Sequence, residues 1–406
     1  MLGAMRLFLA LLLAGSAEAD DKRRLDFAQM YVGGDLGVTP WAGDFAWRSG
    51  GVVQMDPLPA SIAPSIAIGG LHFWRYSDFY VRIELPSVRL RSAPVPTFLD
   101  WGTETGARVY PWPLERDTVR PFAGLGWAVG AYSVDNGPTH TLHQAPAAIG
   151  LSWRQTSWAF DVYGMAALPL EVDDHVSRNT QATVPLQMFR VGLQARFLMD
   201  TTRTSTFGEA ERRARYEREH RLSAFSVAVG PSSAFTLVSG DPGDGLDWIS
   251  PPGVAIFPEV ALGYYFHAPD LATRVAWRPI TQRTSGFGAT RTYGRQSVAL
   301  EVFKMVGDYH GFVPFLGASA GLESLHYTAR DNGTIVDVSD TVFAPTAVFG
   351  WDIRPSRTQP FLLRTNLRVA PTLSLDLPEG EASFRQLEFN FIQAVFYPER
   401  MFSGGP

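Results

Sequence analysis

RPFAGLGWAVGAYSV, Arg120–Val134, decides how the chain is read. In steps of two it separates into Ala123, Leu125, Trp127, Val129, Ala131 and Gly124, Gly126, Ala128, Gly130. A strand sends alternate side chains to opposite faces, so an apolar face is backed by one almost without side chains. A glycine-lined strand face implies that something large approaches the backbone. The pattern returns in FVPFLGASAGLESL, Phe312–Leu325, and both copies carry Pro-Phe-x-Gly, at Pro121 and at Pro314. The chain reads as an internal duplication, and a repeat of this size has to be placed before function is argued.

Eight strands fit the first half: Gln29–Val38, Ser65–Tyr76, Phe79–Arg91, Trp101–Tyr110, Arg120–Val134, Pro146–Arg154, Trp158–Leu168 and Gln187–Met199. The second half offers Leu222–Leu237, Ala255–Phe266, Leu271–Ile280, Gln296–Val306, Phe312–Tyr327, Phe343–Asp352, Pro360–Leu375 and Arg385–Tyr397. Short and long connections alternate. Tyr76-Ser77-Asp78 reads as a short turn, whereas Ser239–Gly253, Gln282–Arg295, Arg330–Thr341 and Asp376–Phe384 read as long loops. Between the halves GEAERRARYEREHR has no strand alternation, and Thr201–Arg221 is expected to be a solvated helical linker.

In most strands one face is apolar and the other mixes glycine with single charges. In the first half the charged face carries Asp35, Arg82, Glu84, Glu104, Arg108, Asp161, Arg190 and Arg196. In the second it carries Glu259, Arg274, Arg278, Glu301, Glu323, Asp352, Arg364, Arg368 and Glu388. A soluble sandwich would bury the apolar face and wet the charged one; a membrane barrel would do the reverse. The even strand count, aromatic content of 13% and absence of cysteine favour the barrel. So does the N-terminal MLGAMRLFLALLLAGSAEA: Arg6, a short apolar run and Ala17-Glu18-Ala19 fit an export signal over residues 1–19. That run is too short for a membrane anchor. A net charge of -5 gives no sign of nucleic acid.

These strands resemble the small eight-stranded outer-membrane barrels of the OmpA/OmpW type, here as a tandem pair. The resemblance rests on Pro121-Phe122-Ala123-Gly124-Leu125-Gly126, its echo from Pro314, and FRVGLQARF, Phe189–Phe197, which is similar to a closing strand. It implies an all-β chain: a transmembrane antiparallel barrel fold with sixteen strands. The expected order is signal, 1–19; first barrel, 20–200; charged linker, 201–221; second barrel, 222–398; tail, 399–406. One wide sixteen-stranded barrel is the alternative. Charges that nearly balance within each half favour two filled barrels, since buried charges need partners.

Chemistry is sparse. His140 and His143 form H-x-x-H near Asp173, Asp174 and His175, but H-x-x-H off a helix fixes no ligand geometry. Gly124-x-Gly126 lies within a strand, with no helix to hold a phosphate. Acids gather in the long loops at Asp241, Asp244, Asp247, Asp331, Asp337, Asp340, Asp376, Glu379 and Glu381, as solubility alone would explain. No catalytic residue, metal site or cofactor is expected. The expected role is structural or interactive in the bacterial outer membrane, with outer-membrane lipid and the barrel assembly machinery as partners. A passive channel and a lipid-modifying enzyme are the alternatives.

Overall fold

A computed structural model of the chain describes residues 28–41, 44–49, 52–57, 60–89, 97–134, 139–169, 173–177, 180–183, 188–199, 209–238, 254–286, 288–307, 312–331, 333–354, 358–378 and 380–401. The expected signal segment, the loop carrying Asp241, Asp244 and Asp247, and Glu379 lie outside them. So do the side chains of His140, His143, Asp173, Asp174 and His175.

The chain is built almost wholly of antiparallel strands. In the first half these are β1 (Ala28–Trp41), β2 (Ser61–His72), β3 (Ser77–Glu84), β4 (Thr97–Val109), β5 (Thr118–Val134), β6 (Thr139–Arg154), β7 (Trp158–Pro169) and β8 (Met188–Met199). Each pairs with the next, and β1 also pairs with β8, so the sheet is ring-like. In the second half β9 (Ala224–Val238), β10 (Val254–Phe266), β11 (Leu271–Gly286), β12 (Ala289–Met305), β13 (Phe312–Asp331), β14 (Thr334–Ile353), β15 (Phe361–Val369) and β16 (Arg385–Phe396) form a closed eight-stranded barrel. Helix α1 (Glu209–Arg218) lies between the halves, and a short helix α2 (Pro398–Met401) follows β16.

Three expectations need correction. Gln282–Arg295 and Arg330–Thr341 are not long loops. The β11–β12 ladder runs to Gly286↔Ala289 and the β13–β14 ladder to Asp331↔Thr334. Gly288 and Gly333 sit at φ 85° and 87°, the left-handed conformation that tight hairpin turns require. Tyr76-Ser77-Asp78 is not the turn: Phe73, Trp74 and Arg75 turn the chain at φ 52°, 55° and 71°, and Asp78 belongs to β3. The connections around the first ring also hold paired strands, Asp44–Ser49 with Val52–Pro57 and Asp173–Ser177 with Thr180–Thr183. Asp376–Phe384 likewise overlaps a hairpin, Ser374–Leu377/Gly380–Ser383.

Both sheets are inside out relative to a soluble protein. Leu125 and Ile149 are 72% and 71% exposed, whereas Arg196 and Arg368 are 0% exposed. β12 shows the alternation most clearly. Val298, Leu300 and Val302 face outward, while Arg295, Ser297, Glu301 and Phe303 face inward. Exposed aromatics ring the short-turn ends. Trp153, Trp158, Phe160 and Phe197 touch one another on the first sheet, and Tyr264 with Phe266 and Phe361 with Phe396 do so on the second. Among the described residues no helix is long and apolar enough to cross a membrane.

Candidate functional site: the charged interiors

The interior of the first ring is a connected charge network, and glycine makes room for it. A Cβ on Gly124 would stand 3.1 Å from the Cγ of Arg108, and a Cβ on Gly37 would collide with the Arg190 guanidinium. In the opening stretch the large group behind Gly124 is thus arginine, whereas a Cβ on Gly126 would meet Pro146 and the Thr105 carbonyl. At the long-loop side Arg190 donates to Asp35 at 2.7 Å and also to Glu84. Arg82 donates to Glu104 at 3.0 Å and lies 3.8 Å from Asp35. Nearer the turns Arg108 and Arg196 share Asp161, at 2.8 and 2.7 Å, and Arg196 also holds Asp78 at 2.8 Å.

Tyrosine hydroxyls complete this network. Tyr163 donates to Asp35 at 2.8 Å, Tyr80 to Glu104 at 2.5 Å and Tyr31 to Asp78 at 2.8 Å. Arg108 also lies over the rings of Tyr80 and Phe122, at 4.6 and 4.9 Å from their centroids. At the turn end Leu114 is fully buried, and its carbonyl accepts from Arg154 at 3.0 Å.

The second interior is organised by shared carboxylates. Arg368 donates to Glu259 at 2.6 Å and to Glu301 at 2.9 Å. Arg274 donates to the same two acids, at 3.1 and 2.5 Å. Arg278 joins Glu301 at 2.7 Å to Glu388 at 3.4 Å. Arg295 joins Glu388 at 2.8 Å to Glu323 at 2.9 Å. Arg364 and Asp352 form a separate two-pronged pair at 2.6 and 2.9 Å, with Arg364 above Phe303 and Phe315. Gln393 and Ser232 donate to Glu259 at 3.0 and 2.9 Å.

This network is enclosed lengthwise. Toward the turns lie Tyr265, Phe303, Phe315, Val348 and Tyr397. Toward the loops lie Tyr293, Tyr327, Leu373, Leu375 and Phe384. Arg400 of α2 lies 4.3 Å from the Tyr397 ring centroid and donates to the Leu222 carbonyl at 2.5 Å. Tyr216 of α1 donates to the Arg400 carbonyl at 3.3 Å, so linker and tail lie together over the turn end.

All seventeen charged residues read from the sequence point inward, and none pairs across the two halves among the described residues. Sequence reasoning missed Asp78 and Arg295. Asp78 is in step with Tyr80, Arg82 and Glu84, and Arg295 with Ser297 and Glu301; that two-residue phase was the available signal. As chemistry, these interiors hold charges against one another. Among the described residues no group of three or more His, Cys, Asp or Glu side chains is arranged for a metal ion.

No protein-family model matches the chain, and no curated protein does. Among solved structures it is similar to Neisserial surface protein A, 15% identical over 43% of this chain and 97% of that one, TM-score 0.28. It is similar to Ail of Yersinia pestis, solved with sucrose octasulfate, 11% identical over 43% and 96%, TM-score 0.27. An outer membrane channel from Pseudomonas putida F1 is 9% identical over 94% and 99%, TM-score 0.23.

Proposed function

We propose that the chain is a bacterial outer-membrane protein made of two tandem eight-stranded barrels of the OmpA/OmpW type, each filled by its own side chains. Its role is structural and interactive: it anchors the envelope and displays its long hairpins, without catalysis. The observation that carries this is the reversal of burial, Leu125 and Ile149 bare on the outside and Arg196 and Arg368 sealed inside. In water such an exterior would be an aggregation surface; against lipid it is the expected one. The aromatic groups at the turn ends suit a membrane interface. Short turns, α1 and α2 then face the periplasm and the long hairpins face outward. Outer-membrane lipid surrounds the chain, and the barrel assembly machinery inserts it.

Filled interiors argue for a scaffold over a passage. The test is single-channel recording in a planar bilayer. The reading expects insertion without stable conductance steps. Steady ohmic steps that persist with the full chain would instead make it a pore.

A further inference from the structure

The outward faces of the two halves meet at their turn ends. His72, at the end of β2, points outward yet is only 3% exposed. Its ring centroid lies 5.5 Å from that of Phe79 and 5.1 Å from that of Phe312 on the second half. Phe312 also stands 5.7 Å from Trp351 and 6.2 Å from Phe73, which belongs to the left-handed turn. Three successive non-glycine residues at positive φ are costly, and such conformations persist where the surroundings enforce them. Here they hold Phe73 against the second half.

From this aromatic knot a cavity of about 240 Å³ extends between the halves. Phe79, Val81 and Ile83 line one side; Ile256, Trp351 and Phe389 line the other. The first three alternate along one strand, so the wall runs roughly 13 Å at the usual rise per residue. Empty, an apolar gap of this size is costly. Water in it would find few of the polar partners it needs. Yet beside the threonines Thr103 and Thr365 it is lined by a buried imidazole, that of His72, whose Nδ1 has no hydrogen-bond partner.

We propose that this crevice binds a phospholipid, one acyl chain lying along Val81, Ile83, Ile256 and Phe389 and the ester or phosphate oxygens bonded by the His72 imidazole. This rests on the membrane reading above. In that reading hydrocarbon surrounds both halves and is the medium into which the crevice opens. The polar group lies at the turn end, level with the headgroups of the turn-side leaflet, and the apolar walls extend from it toward the bilayer interior. That arrangement matches a diacyl lipid of that leaflet.

The test uses the full chain extracted from outer membranes in mild detergent, with native mass spectrometry and phosphorus assay of the purified protein. Fractionation comes first: recovery in the soluble fraction would overturn the membrane reading itself. For membrane-extracted protein the expected result is about one phospholipid per chain surviving exhaustive detergent exchange. Ile256→Trp and, independently, Val81→Trp fill the crevice and should each lower retention at least fivefold while heat-modifiable migration is kept. His72→Phe keeps the packing but removes the polar contact, and should lower retention several-fold. No retained phospholipid in the wild type would overturn the proposal. So would retained lipopolysaccharide in its place, or unchanged retention in whichever Trp variant folds.

Discussion

The two interiors solve one electrostatic problem with different side chains. In the first, Asp35, Asp78, Glu84, Glu104 and Asp161 are held by Arg82, Arg108, Arg190 and Arg196, and tyrosine hydroxyls supply further donors. In the second, Glu259, Glu301, Glu323, Asp352 and Glu388 are held by Arg274, Arg278, Arg295, Arg364 and Arg368, and most acids are shared between guanidinium groups. Tyrosine brings bulk with its single donor, so the first interior is filled by the groups that satisfy it. Guanidinium sharing leaves bulk to be supplied elsewhere, and the second interior has an apolar cluster on each side of its charges.

The comparison can be broken most forcefully at a shared arginine. Arg368→Leu deprives Glu259 and Glu301 of one of their two common partners, and removing one member of a buried pair costs about 3–5 kcal/mol. Thermal unfolding followed by gel migration should show the second half lost first, the first half keeping its wild-type midpoint. Arg196→Leu should produce the mirror image, because Asp78 and Asp161 lose their bond to it. Equal shifts in both halves for either variant would deny them separate interiors.

A smaller effect tests the tyrosines. Tyr80→Phe removes the 2.5 Å bond to Glu104 but keeps the ring beside Arg108, so about 1.5–3 kcal/mol should be lost. No change in the denaturation midpoint would mean that the hydroxyl only fills space. The smallest effect is expected at the tail. Arg400→Ala removes the contacts to Leu222 and Tyr397, worth about 1 kcal/mol, and should speed proteolysis around α1 without moving the midpoint of either half.

How much of this could be read in the sequence varies by element. The two-residue period placed Val81 and Ile83 outside and Arg82 and Glu84 inside because a reversal of burial leaves the alternation undisturbed. The glycines of Arg120–Val134 signalled a close approach but not by what; only the fold brings Arg108 beside Gly124. Turn chemistry misled, as two of the corrected connections show. Ser77-Asp78 has turn-forming residues, yet the left-handed Phe73-Trp74-Arg75 segment makes the turn, a conformation set by tertiary context. Glycines at 286, 288 and 294 made Arg295 look like loop, although ladder pairing carries the strands past it. The contact of His72 with Phe312 joins distant segments, and no local pattern could announce it.

The most direct test of two separately filled barrels is to cleave the membrane-inserted chain within residues 201–208 and run the halves on a cold gel. Two fragments, each shifting its mobility on heating, are the predicted result. Fragments that hold together natively and both unfold once separated would contradict it and establish a single sixteen-stranded barrel.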